Sequence, residues 1–171
     1  MKICVIQPAY SMDPADNEKC FEGMLSLMDR CGDSPDLIVL PEYCDIPANT
    51  ADAAGFNASI RALNARIKEA ATSLAIRTNA MVFANFADET PDGFRNTTFA
   101  FDRKANITGK YYKAHPAPSE VKTAEQGGNG MDCTYSYSYQ PPYVVEMEGL
   151  RFGFLTCYDF YMYENFPQLA R

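Results

Sequence analysis

Residues 36–40 read Asp-Leu-Ile-Val-Leu and are closed at once by Pro41, a compact apolar run without polar alternation. A strand of that kind is buried on both faces and demands a sheet covered on each side. The neighbouring sequence supplies such cover. Between residues 17 and 31 the apolar positions Cys20, Phe21, Met24, Leu27, Met28 and Cys31 recur at three and four, with Gly32 where a helix would end. From about 58 to 77, Ile60, Leu63, Ile67, Ala71 and Leu74 share a face, and Asn57 is the expected N-cap. Residues 2–7 predict a short, largely buried strand ending at Pro8. Residues 81–86 predict a further buried strand, and 96–101 and 106–112 a hairpin, with turns at Pro91-Asp92-Gly93 and around 102–105. Residues 143–147 and 151–156 form a second hairpin through Glu148-Gly149, and 160–170 is helical in its later part. The expected architecture is α/β, a mixed sheet covered by helices.

With 47% apolar residues, 171 residues can bury a sizeable core as one domain. An α/β layer stopping at Arg171 would leave open strand edges and a bare sheet face, so residues 1–171 are expected to be a partial domain lacking its C-terminal portion. The charges, 15 basic against 22 acidic, are scattered and form no basic stripe, which argues against nucleic acid as a partner. No stretch approaches the ~20 apolar residues of a membrane span, and the N-terminal run is too short for a signal segment, so a cytoplasmic protein without membrane partners is expected. Cysteines at 4, 20, 31, 44, 133 and 157 lack paired spacing and read as free thiols, five of them packing residues. A single histidine, His115, leaves too few ligands for zinc, and neither a metal nor a cofactor is expected.

Three side chains sit at predicted strand ends, where function concentrates. Glu42 follows Leu40-Pro41, Lys113 ends the aromatic strand Gly109-Lys110-Tyr111-Tyr112, and Cys157 ends Arg151-Phe-Gly-Phe-Leu-Thr. Individually each has an ordinary reading: a solvated turn acid, a surface charge, a buried thiol. A thiol at a strand-to-helix turn can also have its thiolate stabilised by a helix N-terminus and a nearby cation.

Together these segments resemble the nitrilase superfamily of carbon-nitrogen hydrolases, over the whole chain and in its amidase and carbamoylase branches. Leu40-Pro41-Glu42 is similar to the general-base motif, Tyr112-Lys113-Ala114-His115 to the lysine motif, Cys157-Tyr158-Asp159 to the nucleophile motif, and Val5-Ile6-Gln7-Pro8 to the first strand. The resemblance implies an α-β-β-α sandwich with mixed sheets, here cut short before its C-terminal half. It implies hydrolysis of a linear amide or N-carbamoyl substrate through a cysteine thioester. Glu42 would be the base, and Lys113 with the Tyr158 backbone N–H would stabilise the oxyanion. Glu120 or, alternatively, Glu125 would be the additional glutamate. Glu164 falls where a family glutamate usually follows the cysteine. Where the family often places arginine and then Phe-Pro, this chain has Tyr161, Met162 and Tyr163. A homodimer or larger homo-oligomer is also implied. The run Tyr135, Tyr137, Tyr139 and Tyr143 is either a wall of the entrance or a solvated aromatic loop.

Two other readings compete. A papain-type pair of Cys157 and His115 leaves Glu42 and Lys113 unexplained. A truncated or degenerate homologue without catalysis, acting as an interaction partner, would keep the motifs and lose the activity.

Overall fold

Alternation along the strands decides the layering. The computed structural model describes residues 1–170 apart from 33, 51, 92 and 122–142. Its elements, in order, are β1 (Ile3–Val5), a 3-10 turn (Pro14–Asp16), α1 (Asn17–Asp29), β2 (Leu37–Val39), α2 (Ala53–Thr78), β3 (Met81–Thr90), β4 (Gly93–Phe101), β5 (Ile107–Tyr112), α3 (Pro118–Val121), β6 (Val144–Met147), β7 (Leu150–Gly153), a second 3-10 turn (Cys157–Tyr161) and α4 (Asn165–Leu169). A five-stranded sheet runs β1-β2-β3-β4-β5, parallel through β3 and antiparallel from β3 to β5, and β6 pairs antiparallel with β7 in a sheet of its own.

In β3, Val82, Ala84 and Phe86 join Phe21, Met24, Leu63, Ile67 and Leu74 of the helices in one core. The intervening Met81 and Phe83 join Ala100, Tyr111, Val145, Met147 and Phe154 in a second core beneath the β6–β7 hairpin. The described residues thus stack as helices, sheet and hairpin, with the mixed sheet expected from the sequence. No helix among them is long and apolar enough to cross a membrane.

Three expectations need correcting. Strand β1 is not largely buried: Ile3 and Val5 are exposed while Ile6 packs inward, because the second core reaches only β2 to β5. Helix α2 starts a turn and more before Asn57, at Ala53, where Asp52 Oδ1 accepts from Gly55 N at 2.8 Å. Ala53 and Phe56 extend its buried stripe by one further turn. Finally, β3 and β4 also form an antiparallel pair, from Val82↔Phe101 to Thr90↔Gly93, so the β4–β5 hairpin is the second half of a meander.

Arg77 locks the helices together by donating to the carbonyls of Met28 and Cys31 at 2.7 Å, the former also accepting from Cys31 N at 3.0 Å. Gly109 marks the closest approach of β5 to the hairpin. A Cβ there would lie 2.6 Å from Tyr143 Oη and 2.9 Å from Val145 Cγ2. Tyr143 is accordingly a packing residue whose hydroxyl accepts from Lys110 N at 3.0 Å, and not an entrance wall; Tyr135, Tyr137 and Tyr139 lie outside the described residues. Gly109→Ala is expected to cost about 1–3 kcal/mol of overpacking, read as a lower urea midpoint with an unchanged slope.

Candidate active site

The face of the sheet that carries the second core continues, at one end, into polar side chains. Parity places Asn85 beyond Met81 and Phe83, Asn96 beyond Ala100, and Lys113 beyond Tyr111 on that face. Lys113 is 1% exposed, and its ammonium lies 2.9 Å from Glu42 Oε1 and 2.7 Å from Glu120 Oε2. Glu42 arrives from the turn after β2. Glu120 comes from the short helix α3, where its Oε2 also accepts from Ala117 N at 2.5 Å. Its other oxygen accepts from Tyr43 Oη and, at 3.0 Å, from Asn96 Nδ2. Burial alone would lower the proton affinity of Lys113, but Glu120 and then Glu42 outweigh it and hold the ammonium above its ordinary range. For Glu120, burial pulls upward, and Lys113, Asn96 and Tyr43 win, keeping the carboxylate below its usual value.

Cys157 opens the 3-10 turn after β7, exposed and with φ 49, a left-handed conformation that a side chain rarely adopts. Glu42 is the charged group that acts most strongly on its thiol, ahead of Lys113. Tyr43, next to Glu42, also has a positive φ of 56, so both loops that meet at the site hold strained backbone, at about 1–3 kcal/mol each. Partial burial and then the Glu42 carboxylate raise the Cys157 thiol above its ordinary value, against the pull of Lys113. The sequence allowed a ready-made thiolate at a helix N-terminus. The structure has a neutral thiol beside a carboxylate able to take its proton, because the turn that follows is only a five-residue 3-10 segment and Glu42 stands closer in effect than Lys113.

Asp159 sets the distance between the Lys113 and Cys157 loops. Fully buried, it accepts from Thr156 N at 2.8 Å, Tyr111 Oη at 2.7 Å and His115 N at 2.8 Å, with His115 Nδ1 at 3.0 Å. His115 is thereby engaged with Asp159 through both its backbone N–H and Nδ1, while the charged groups that act on the Cys157 thiol are Glu42, Lys113 and Glu120. Asp159→Ala is expected to cost about 3 kcal/mol or more, since it leaves several buried donors unmatched, and to release the Cys157 loop. Hydrogen exchange at Thr156 and His115 would register that release.

The structure thus brings Glu42, Lys113, Glu120 and Cys157 together; Glu125, the rival of Glu120, lies outside the described residues. Tyr158 follows Cys157 in the same turn, its ring 5.3 Å from that of Tyr161. Glu164 stands exposed at the N-cap of α4 without a capping hydrogen bond, and Tyr161 and Tyr163 are exposed. Asn85, Asn96, Tyr43 and the clamping role of Asp159 were not foreseen. The available signal was an asparagine continuing the buried parity of β3 and another that of β4, where a polar side chain must find a partner. Among the described residues no group of three or more metal-ligating side chains occurs.

The carbon-nitrogen hydrolase family model matches residues 2–171. No curated protein matches the chain. Among solved structures, a carbon-nitrogen hydrolase from Helicobacter pylori G27 superposes with a TM-score of 0.67 at 15% identity, over 96% of this chain and 54% of that one. The NitFhit protein of C. elegans gives 0.64 at 21%, over 92% and 37%. A mutant amidase from Nesterenkonia sp. AN1, with the acetamide moiety of fluoroacetamide added covalently at its active site cysteine, gives 0.61 at 17%, over 99% and 60%. At such identities the likeness establishes a shared fold, the nitrilase-type α/β arrangement. The chain spans less than two thirds of each of these proteins.

Proposed function

Since the chain belongs to the carbon-nitrogen hydrolase family, we propose that it hydrolyses a linear amide or N-carbamoyl compound through a thioester on Cys157. The observation that carries this reading is a lysine buried between two carboxylates, one of which also faces an exposed cysteine thiol. In the first step Glu42 takes the thiol proton as Cys157 Sγ attacks the carbonyl carbon. The oxygen that becomes negative is met by the Lys113 ammonium and the Tyr158 backbone N–H, where a single well-placed donor is worth about 3 kcal/mol. Collapse of the tetrahedral adduct passes the proton from Glu42 to the departing amine. Glu42 then deprotonates a water that attacks the thioester, releasing the acid and restoring the thiol. Glu120 acts through Lys113, holding it charged and aimed. The Nesterenkonia protein is an amidase whose active site cysteine takes up the acetamide moiety of fluoroacetamide, which supports a nucleophilic cysteine and an amide substrate here, and Tyr158-Asp159 resembles the amidase and carbamoylase pattern.

The protein is proposed to work in the cytoplasm, with the exposed aromatic segment Phe160, Tyr161, Tyr163 and Phe166 as a contact between subunits of a homo-oligomer. Incubation with a panel of short amides, N-carbamoyl amino acids and nitriles, followed by intact-mass analysis, tests the reading. An acyl mass on the Cys157 peptide with amides or carbamoyl compounds is expected. A chain that forms no adduct and releases no amine with any of them would instead be a non-catalytic homologue.

A further inference from the structure

The two buried asparagines are wired with a direction. Tyr43 N donates to Asn85 Oδ1 at 2.8 Å, and a backbone N–H can only donate. Asn85 must therefore turn its NH2 the other way, toward Asn96 Oδ1 at 2.7 Å and Thr98 Oγ1 at 3.1 Å. That in turn directs the Asn96 NH2 at both carboxylates, 2.8 Å from Glu42 Oε1 and 3.0 Å from Glu120 Oε1. Both amides are nearly fully buried, at 4% and 1% exposure, and turning either around would set acceptor against acceptor.

We propose that Asn96, oriented by Asn85, is a positioning residue that holds Glu42 and Glu120 apart in fixed register and keeps Glu42 in the proton-accepting state facing Cys157. The kinetic side of this inference rests on the hydrolase reading; the wiring does not. Glu42 meets the Lys113 ammonium, the Asn96 amide and the Cys157 thiol, with Glu120 on the far side of Asn96 and Lys113 and Tyr43 Oη bonded to Glu120. Two carboxylates share one cation, leaving one negative charge to be met by amide donors. An apolar side chain at 96 would leave both acids short of a donor and Glu42 held by Lys113 alone.

The test follows the rate of Cys157 alkylation by iodoacetamide against pH in the full chain, read by peptide mass, beside kcat and KM for an amide that acylates Cys157. Alkylation proceeds through the thiolate, so the acid limb of this profile reports how readily Cys157 gives up its proton beside the Glu42 carboxylate. In Asn96→Ala the limb is expected to move up by about one pH unit, and kcat to fall about 10- to 100-fold with KM little changed. Asn85→Asp replaces the donor facing Asn96 Oδ1 by an acceptor, so Asn96 turns around, and the same shift is expected although Asn85 touches neither acid. A merely structural role would lower thermal stability without moving the limb. Either variant, folded by circular dichroism yet with an unmoved limb, overturns the proposal. If the limb moves but wild type acylates with no amide, the hydrolase reading fails and the positioning stands.

Discussion

Cys157→Ala is expected to erase the acyl-enzyme and to cut turnover by about 10⁴-fold or more, while the melting temperature barely changes. The two parts of that expectation come from different observations. The thiol is the one sulfur among the described residues that faces Glu42 and senses Lys113 and Glu120, so no neighbouring nucleophile can replace it. Its loop, however, is held by Asp159, through Thr156 N, Tyr111 Oη and His115 N, and none of these bonds involves the sulfur. Removing Sγ from an exposed residue also empties no core. Intact-mass and steady-state measurements on the variant decide the matter: turnover within tenfold of wild type, or an adduct on another cysteine, would remove Cys157 from the mechanism.

Lys113→Met is expected to be the most destabilising single change at the site. It leaves the Glu42 and Glu120 carboxylates with no cation between them, a loss on the order of 3–5 kcal/mol for a buried pair. The pH dependence should reverse as well. In wild type, Glu120 is held below its ordinary value despite burial, by Lys113, Asn96 and Tyr43. Its contribution is complete above the unfolded carboxylate value of about 4.3 and fades as pH falls through the lower folded value. Lys113, held above its ordinary range, contributes fully below about 10.4 and loses that contribution only as pH rises through its folded value. Wild type should therefore melt at nearly the same temperature at about pH 5 and pH 7 as far as this cluster is concerned. Without the lysine, burial and the facing acid push carboxylate protonation upward, so the folded state binds more protons than the unfolded one and acid becomes stabilising. A higher melting temperature at pH 5 than at pH 7 in Lys113→Met, abolished by adding Glu120→Gln, is the signature. A variant with the wild-type pH dependence would show that the cluster does not carry the charges assigned to it.

Glu42, Lys113 and Cys157 were legible because each ends a strand and is flanked by a short motif, so their chemistry is written next to them in the chain. Asn96 and Asn85 were not, since each matters through a partner many residues away that only the register of β3 on β4 brings near. Glu120 stood undecided against Glu125 because a four-residue helix shows no periodicity to fix a face. The buried stripe of α2 was readable from Ile60 onward, and its true start at Asp52 was hidden by a cap that acts through a single hydrogen bond. Strand β1 misled because alternation shows that Cys4 and Ile6 share one side and Ile3 and Val5 the other, but not which side is covered.

The larger core has a further consequence for biosynthesis. All its buried members lie between Ile6 and Phe101, and Glu42, Asn96, Lys113 and Glu120 all precede residue 122. A ribosome therefore releases the scaffold and the buried cluster of Glu42, Asn96, Lys113 and Glu120 before Cys157 leaves the exit tunnel. Cys157 arrives last, onto a carboxylate already in place beside it.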